Sequence, residues 1–172
     1  EIGIENISKK YQDAAQKRII GDDELLSSKV KYNDKILHQS KIIKFYVEEE
    51  NKKKTQKDID KIFKKISKNR KYFYSAKDLA LADSLINDGL TLPSNFNYKE
   101  LSKKYDIPKN LLKLINDNQR AFLALKIVEI IGEDEPNQLD PETIYFITNL
   151  LNKMNLKQIR NIVLNSALPL RA

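Results

Sequence analysis

Apolar residues recur along this chain at spacings of three and four, the pattern of helices that bury one face. Ile4, Ile7, Tyr11, Ala14 and Ala15 predict a first helix over residues 3–19, stopped at Gly21. Asp22 and Asp23 offer N-caps for a second helix with Leu26, Val30 and Leu37 as its stripe. That stripe extends to Ile42, Ile43, Tyr46 and Val47, with a weak point at Asn33-Asp34.

Residues 48–54, EEENKKK, read as a charged linker or a frayed helix end. Thr55 and Asp58 have the spacing of a capping box, so Ile59, Ile62, Phe63 and Ile66 predict a third helix over residues 56–68. Ser75 and Asp78 have the same spacing, opening a helix that carries Leu79, Ala82, Leu85 and Ile86 and stops at Gly89. Asn97 with Glu100 opens a short helix over residues 98–105, and Asp106 with Pro108 opens another over residues 108–117. Residues 119–131 are nearly all apolar and end at Gly132, so burial on every side is expected of them. Asp140-Pro141 is a start signal, a capping side chain followed by proline at the first helical position, for a stripe of Ile144, Ile147, Leu151 and Met154. Asn155 is the expected cap of a last helix bearing Leu156, Ile159, Val163 and Ala167, ended by Pro169.

The expected fold is therefore all-α, about eight helices in antiparallel hairpins. An echo suggests a short solenoid-like array. Gly89 and Gly132 lie 43 residues apart, as do Asn97 and Asp140. At that offset Leu81, Ala82 and Leu85 align with Ala124, Leu125 and Val128, and Leu101 with Ile144. Periods near this length are usual in helical repeats, whose units stack because none can bury its apolar face alone. The expected organisation is an N-terminal helical pair over residues 1–50, a basic linker and amphipathic helix over 51–75, and a repeat-like region over 76–172, joined in one continuous domain.

Composition narrows the chemistry. The 172 residues include only 4 Gly and 5 Pro, too few for an array of tight hairpins, and no Cys. Disulfides, thiol catalysis and thiolate metal sites are thereby removed. His38 is the single histidine and has no acid near it in sequence, so a surface or half-buried helix position is expected of it. The four glycines are isolated, which rules out glycine-rich phosphate loops. Glu133, Asp134, Glu135 and Asp140 lack the alternation of a calcium loop and read as a solvated acidic loop. The longest apolar run, residues 121–131, contains Lys126 and Glu129 and falls short of a membrane span. No catalytic residue, cofactor or metal ligand is expected.

Charge singles out one segment. The net charge is +7, and residues 51–75 supply all of it. Lys52, Lys53, Lys54, Lys57, Lys61, Lys64, Lys65, Lys68, Arg70 and Lys71 stand there against only Asp58 and Asp60. Such a segment attracts phosphate backbones or anionic lipid, and Tyr72, Phe73 and Tyr74 follow it directly. The plainer reading makes the lysines the polar side of an amphipathic helix and the aromatics its dock onto the next helix. Residues 99–115, KELSKKYDIPKNLLKLI, resemble a helix-turn-helix. They depart from it in leaving only Lys109, Asn110, Lys113 and Asn116 to face DNA, and in having Asp106 where the turn usually has glycine.

Three functional expectations follow. The first is a non-enzymatic helical interaction or scaffolding module, a fragment of a larger protein or assembly, that binds a protein partner or the rest of its own chain. The alternative is nucleic-acid binding through residues 51–71 and the helix-turn-helix-like segment. An accessory domain of an enzyme is a third. A chain without a membrane helix is expected to be soluble, with a cytoplasmic setting ahead of a mature exported one.

Overall fold

The computed structural model describes residues 31–168 apart from Glu49, Asp106 and Asn118. The expected helix over residues 3–19, the start of the second helix and the stop at Pro169 lie outside the described residues. Among the described residues there are eight α-helices and no strand. They are α1 (Lys44–Val47), α2 (Lys52–Ile66), α3 (Ala76–Asn87), α4 (Tyr98–Ser102), α5 (Lys109–Asn116), α6 (Arg120–Ile131), α7 (Pro141–Lys153) and α8 (Lys157–Ala167). Three 3-10 turns, Leu37–Gln39, Lys41–Ile43 and Lys103–Tyr105, also lie among the described residues. Tyr32–Pro169 is one compact unit.

The core is built on α3, which packs along α7; α7 in turn forms a helix hairpin with α8. Leu81, Ala82 and Leu85 of α3 meet the same apolar cluster as Ile144, Ile147 and Leu151 of α7, and all six are buried. On α2, Ile59, Ile62, Phe63 and Ile66 close another side of that cluster. α5 and α6 pack on each other, contributing Leu123 and Ile127 to the core, with Leu111, Leu112 and Ile115 half-buried beside it.

Local signals account for several helix ends. The Ser75–Asp78 capping box forms: Ser75 Oγ accepts from the Asp78 N–H, and Asp78 accepts from the Ser75 N–H. Asp140 accepts from the Thr143 N–H at 2.9 Å, with Pro141 at the first helical position. After α3, Gly89 takes φ +81°; Leu90 N–H reaches back to Leu85 C=O at 3.0 Å and Gly89 N–H to Ile86 C=O at 2.9 Å. These two bonds satisfy carbonyls that the last helical turn would otherwise leave free.

Four local expectations are corrected. Asn51, not Thr55, caps α2; Asn51 Oδ1 accepts from the Lys53 N–H, and Thr55 is buried inside the helix, donating to Asn51 C=O. Residues 52–54 are thus the first turn of a helix and not a linker. The stripe from Leu37 to Val47 is carried by two 3-10 turns and a single helical turn. There Asn33 Oδ1 accepts from Lys35 N–H and Ser40 Oγ from Ile42 N–H, side-chain bonds that compete with a continuous helix. Asn155 does not cap α8. It sits at φ 58° just past α7, where its N–H bonds Asn152 C=O and Leu156 N–H bonds Leu151 C=O, the same closure that Gly89 makes after α3.

The fourth correction concerns α6. Leu123 and Ile127 are 0% and 6% exposed, whereas Phe122, Leu125 and Val128 are 47%, 67% and 63% exposed. Only one side of this apolar helix has a neighbour, so burial on every side is not what the fold provides. The 43-residue echo is correspondingly one of spacing: Leu81, Ala82 and Leu85 are buried, and their counterparts Ala124, Leu125 and Val128 are exposed.

Candidate functional site

Two surfaces and a buried spine hold the residues that could carry function. The spine is α3, where three aspartates five residues apart each organise a polar cluster. Asp78, almost fully buried, accepts from His38 N–H at 2.9 Å and from Tyr72 Oη at 3.0 Å, and faces His38 Nδ1 at 2.6 Å. The fold thus gives His38 an acidic partner 40 residues away in sequence. Asp83 accepts from Tyr98 Oη at 2.6 Å, Asn152 Nδ2 at 2.8 Å and Asn149 Nδ2 at 2.9 Å. Burial and the Asp83 charge push the Tyr98 hydroxyl well above the usual tyrosine range. Asp88 binds Arg160 through both guanidinium arms, at 2.7 and 3.3 Å, with Lys157 at 3.4 Å.

These carboxylates have spent their lone pairs on donors from other elements. Each ties α3 to something distant: the Leu37–Gln39 turn, α4 with α7, and α8. Asp78 and Asp88 are buried ties, since a buried charge needs pairing and full hydrogen bonding to be tolerated, and Asp83 is a half-buried one. Only their spacing within the apolar run AKDLALADSLIND hinted at them. A cavity of about 480 Å³ opens beside the second tie, lined by Asp83, Tyr98, Tyr105, Tyr145, Lys109 and Lys153. Among the described residues no group of three His, Asp or Glu side chains could hold a metal ion, and no helix is long and apolar enough to cross a membrane.

The first surface is the outward side of α2. At about 3.6 residues per turn, Lys53, Lys54, Lys57, Lys61, Lys64 and Lys65 fall on the face opposite Ile59, Ile62 and Ile66. All six are exposed, and Lys68 continues the line in the turn that follows. Lys54 pairs with Glu50, Lys61 with Asp58 and Lys65 with Asp34. Lys53, Lys57, Lys64 and Lys68 have no ion-pair partner among the described residues. Lys52 points the other way: its Nζ donates to Asp88 C=O at 2.6 Å, closing the C-terminal end of α3. Arg70 and Lys71 are exposed in the turn before α3. Of the aromatics, Tyr72 and Tyr74 stack on each other and Tyr74 on Phe96, while Phe73 is 77% exposed. The helix-turn-helix-like segment becomes α4, a 3-10 turn and α5, with Leu111, Leu112, Leu114 and Ile115 turned toward the core and Lys109, Asn110, Lys113 and Asn116 exposed.

The second surface is the outer side of α6. Leu125 stands diametrically opposite the buried side, flanked by Ala121, Phe122 and Val128 on adjacent turns. Lys126 and Glu129 pair with each other at 2.6 Å, and Lys126 Nζ lies 5.9 Å from the Phe122 ring centre. The result is an exposed apolar ridge that also carries the Lys126–Glu129 ion pair. Comparison with protein-family models, with curated proteins and with solved structures finds no match to this chain.

Proposed function

We propose that this chain is a non-enzymatic α-helical interaction module whose docking face is the outer side of α6. The observation that supports this most is the exposure of Phe122, Leu125 and Val128 on successive turns of one helix. Exposed apolar residues scattered singly are ordinary, but a contiguous ridge of them is the make-up of a protein-binding surface. Burial of these three side chains would be worth several kcal/mol, at roughly 1.5–3 kcal/mol for each large apolar side chain fully buried.

A photo-crosslinking amino acid placed at Leu125 in the full chain tests this in the cells that make it. Adducts with a protein at position 125, absent when the same probe replaces exposed Asn87, are the expected result. No adduct at position 125 beyond the position-87 background would overturn the proposal.

A second reading rests on a separate observation, the alignment of the α2 lysines on one outward face. Phosphate backbones are bound by such arrays through counterion release, with affinity that falls steeply as salt rises. A cavity of about 590 Å³ lined by Tyr32, Lys35, Lys65 and Lys68 opens at the edge of this face. Retention on DNA or RNA at low salt, lost in Lys57→Glu/Lys61→Glu/Lys64→Glu, is expected. Failure to retain either polymer at low salt would sink it.

A further inference from the structure

We infer that the cavity beside Asp83 is a binding site for a small organic anion, a molecule with a neutral aromatic body and one phosphate or carboxylate head. It shares no residue with the α6 ridge or the α2 lysine face. Its walls are stripes of neighbouring helices. Tyr145, Asn149 and Lys153 stand on successive turns of α7, in line over about 12 Å at about 1.5 Å per residue. Burial falls along that line, from buried Tyr145 through half-buried Asn149 to exposed Lys153. Tyr98 and Ser102 stand one turn apart on α4, and Tyr105 follows in the 3-10 turn. Ile107, with Lys109 and Leu112 of α5, forms the remaining wall.

The lining sets the chemistry of the occupant. Asp83 accepts from Tyr98, Asn149 and Asn152, and the Tyr98 and Tyr145 hydroxyls lie 2.9 Å apart. An anionic head beside that carboxylate would meet a like charge, so the part of the ligand near Asp83 is neutral. Rings line the cavity there. Tyr105 packs on Tyr145 with ring centres 5.5 Å apart, and Ile107 and Leu112 add apolar surface, a lining suited to a flat aromatic body. The cations come from two walls. Lys109 and Lys153 are exposed, and neither is in an ion pair among the described residues. They outnumber the one carboxylate of the lining, so the charge that balances the site is negative. The volume of about 480 Å³ suits a small molecule, whose sites span roughly 300–1,000 Å³.

NMR titration of the full chain tests this with two probes, adenosine monophosphate and indoleacetate. Adenosine, indole, inorganic phosphate and acetate serve as their separated parts. At least one probe should bind with a Kd of about 1 mM or tighter, and its neutral body and its head alone should each bind at least about tenfold more weakly. Which probe binds tells a phosphate head from a carboxylate. The largest shifts should fall at Tyr98, Tyr105 and Asn149. Lys109→Glu/Lys153→Glu should weaken binding at least about tenfold, with helicity unchanged by circular dichroism because both residues are exposed. Lys57→Glu/Lys61→Glu/Lys64→Glu on α2 should leave binding within about twofold of the parent. No binding of either probe at about 10 mM, or equal binding of the neutral body, overturns the assignment. So does a loss in the α2 variant as large as that in the cavity variant, since the anion would then be held by surface lysines at large.

Discussion

Arg160 on α8 grips Asp88 at the end of α3 with two hydrogen bonds, and both side chains are buried. The Arg160 guanidinium also lies 5.2 Å from the Tyr46 ring centre, and its Nη1 donates to Asn152 at 2.8 Å. A cation here also complements the negative end of the α3 dipole. The pair joins helices 72 residues apart in sequence. Removing one partner strands a charge in the interior, at a cost of about 3–5 kcal/mol. Asp88→Ala should therefore lower stability to urea by about that amount, and Asp88→Ala/Arg160→Met should recover much of the loss. Equal destabilisation in the two variants would show that the ion pair is not what joins these helices.

Tyr98 gives the fold an alkaline limit. Its hydroxyl donates to Asp83, and burial with that charge holds its folded pKa above the unfolded value of about 10. Above about pH 10 the unfolded chain releases this proton while the folded chain keeps it. The stabilisation is therefore complete below about pH 10 and declines as pH rises beyond it. Tyr98→Phe should cost about 1–3 kcal/mol near neutrality and flatten the decline of stability measured between pH 9 and 11. An unchanged alkaline slope in that variant would count against the tie.

Leucines in the two apolar helices should behave differently. Leu81 on α3 is fully buried and Leu125 on α6 is largely exposed. Leu81→Ala should cost about 2–5 kcal/mol through lost transfer energy and a cavity. Leu125→Ala should change stability by no more than about 0.5 kcal/mol. Similar losses in chemical denaturation would mean that both helices are core.

Asn155 closes α7 from a left-handed backbone conformation, φ 58°. Glycine takes that conformation without the steric cost of a Cβ. Asn155→Gly should stabilise the chain by up to about 1 kcal/mol, and Asn155→Ala should destabilise it by about 1 kcal/mol, read from thermal unfolding. A loss on Asn155→Gly would restore the side chain to the capping role its sequence position suggests.

What the sequence determined by itself are the features settled within a few residues. The capping box at Ser75–Asp78, the Asp140 cap before Pro141 and the stop at Gly89 are local hydrogen bonds and backbone preferences, so they read directly from residue types at fixed spacings. The α2 lysine face follows in the same way, because helical periodicity alone sets it opposite Ile59, Ile62 and Ile66. The tertiary structure decided which apolar helix is enclosed. α3 and α6 are both apolar around most of their circumference, but α3 lies along α7 while α6 has a neighbour on one side only. It also decided that His38 meets Asp78, that Lys52 reaches across to the Asp88 C=O, and that Arg160 is buried. Each of those outcomes depends on groups 36 to 72 residues away, and no spacing along the chain encodes such distances.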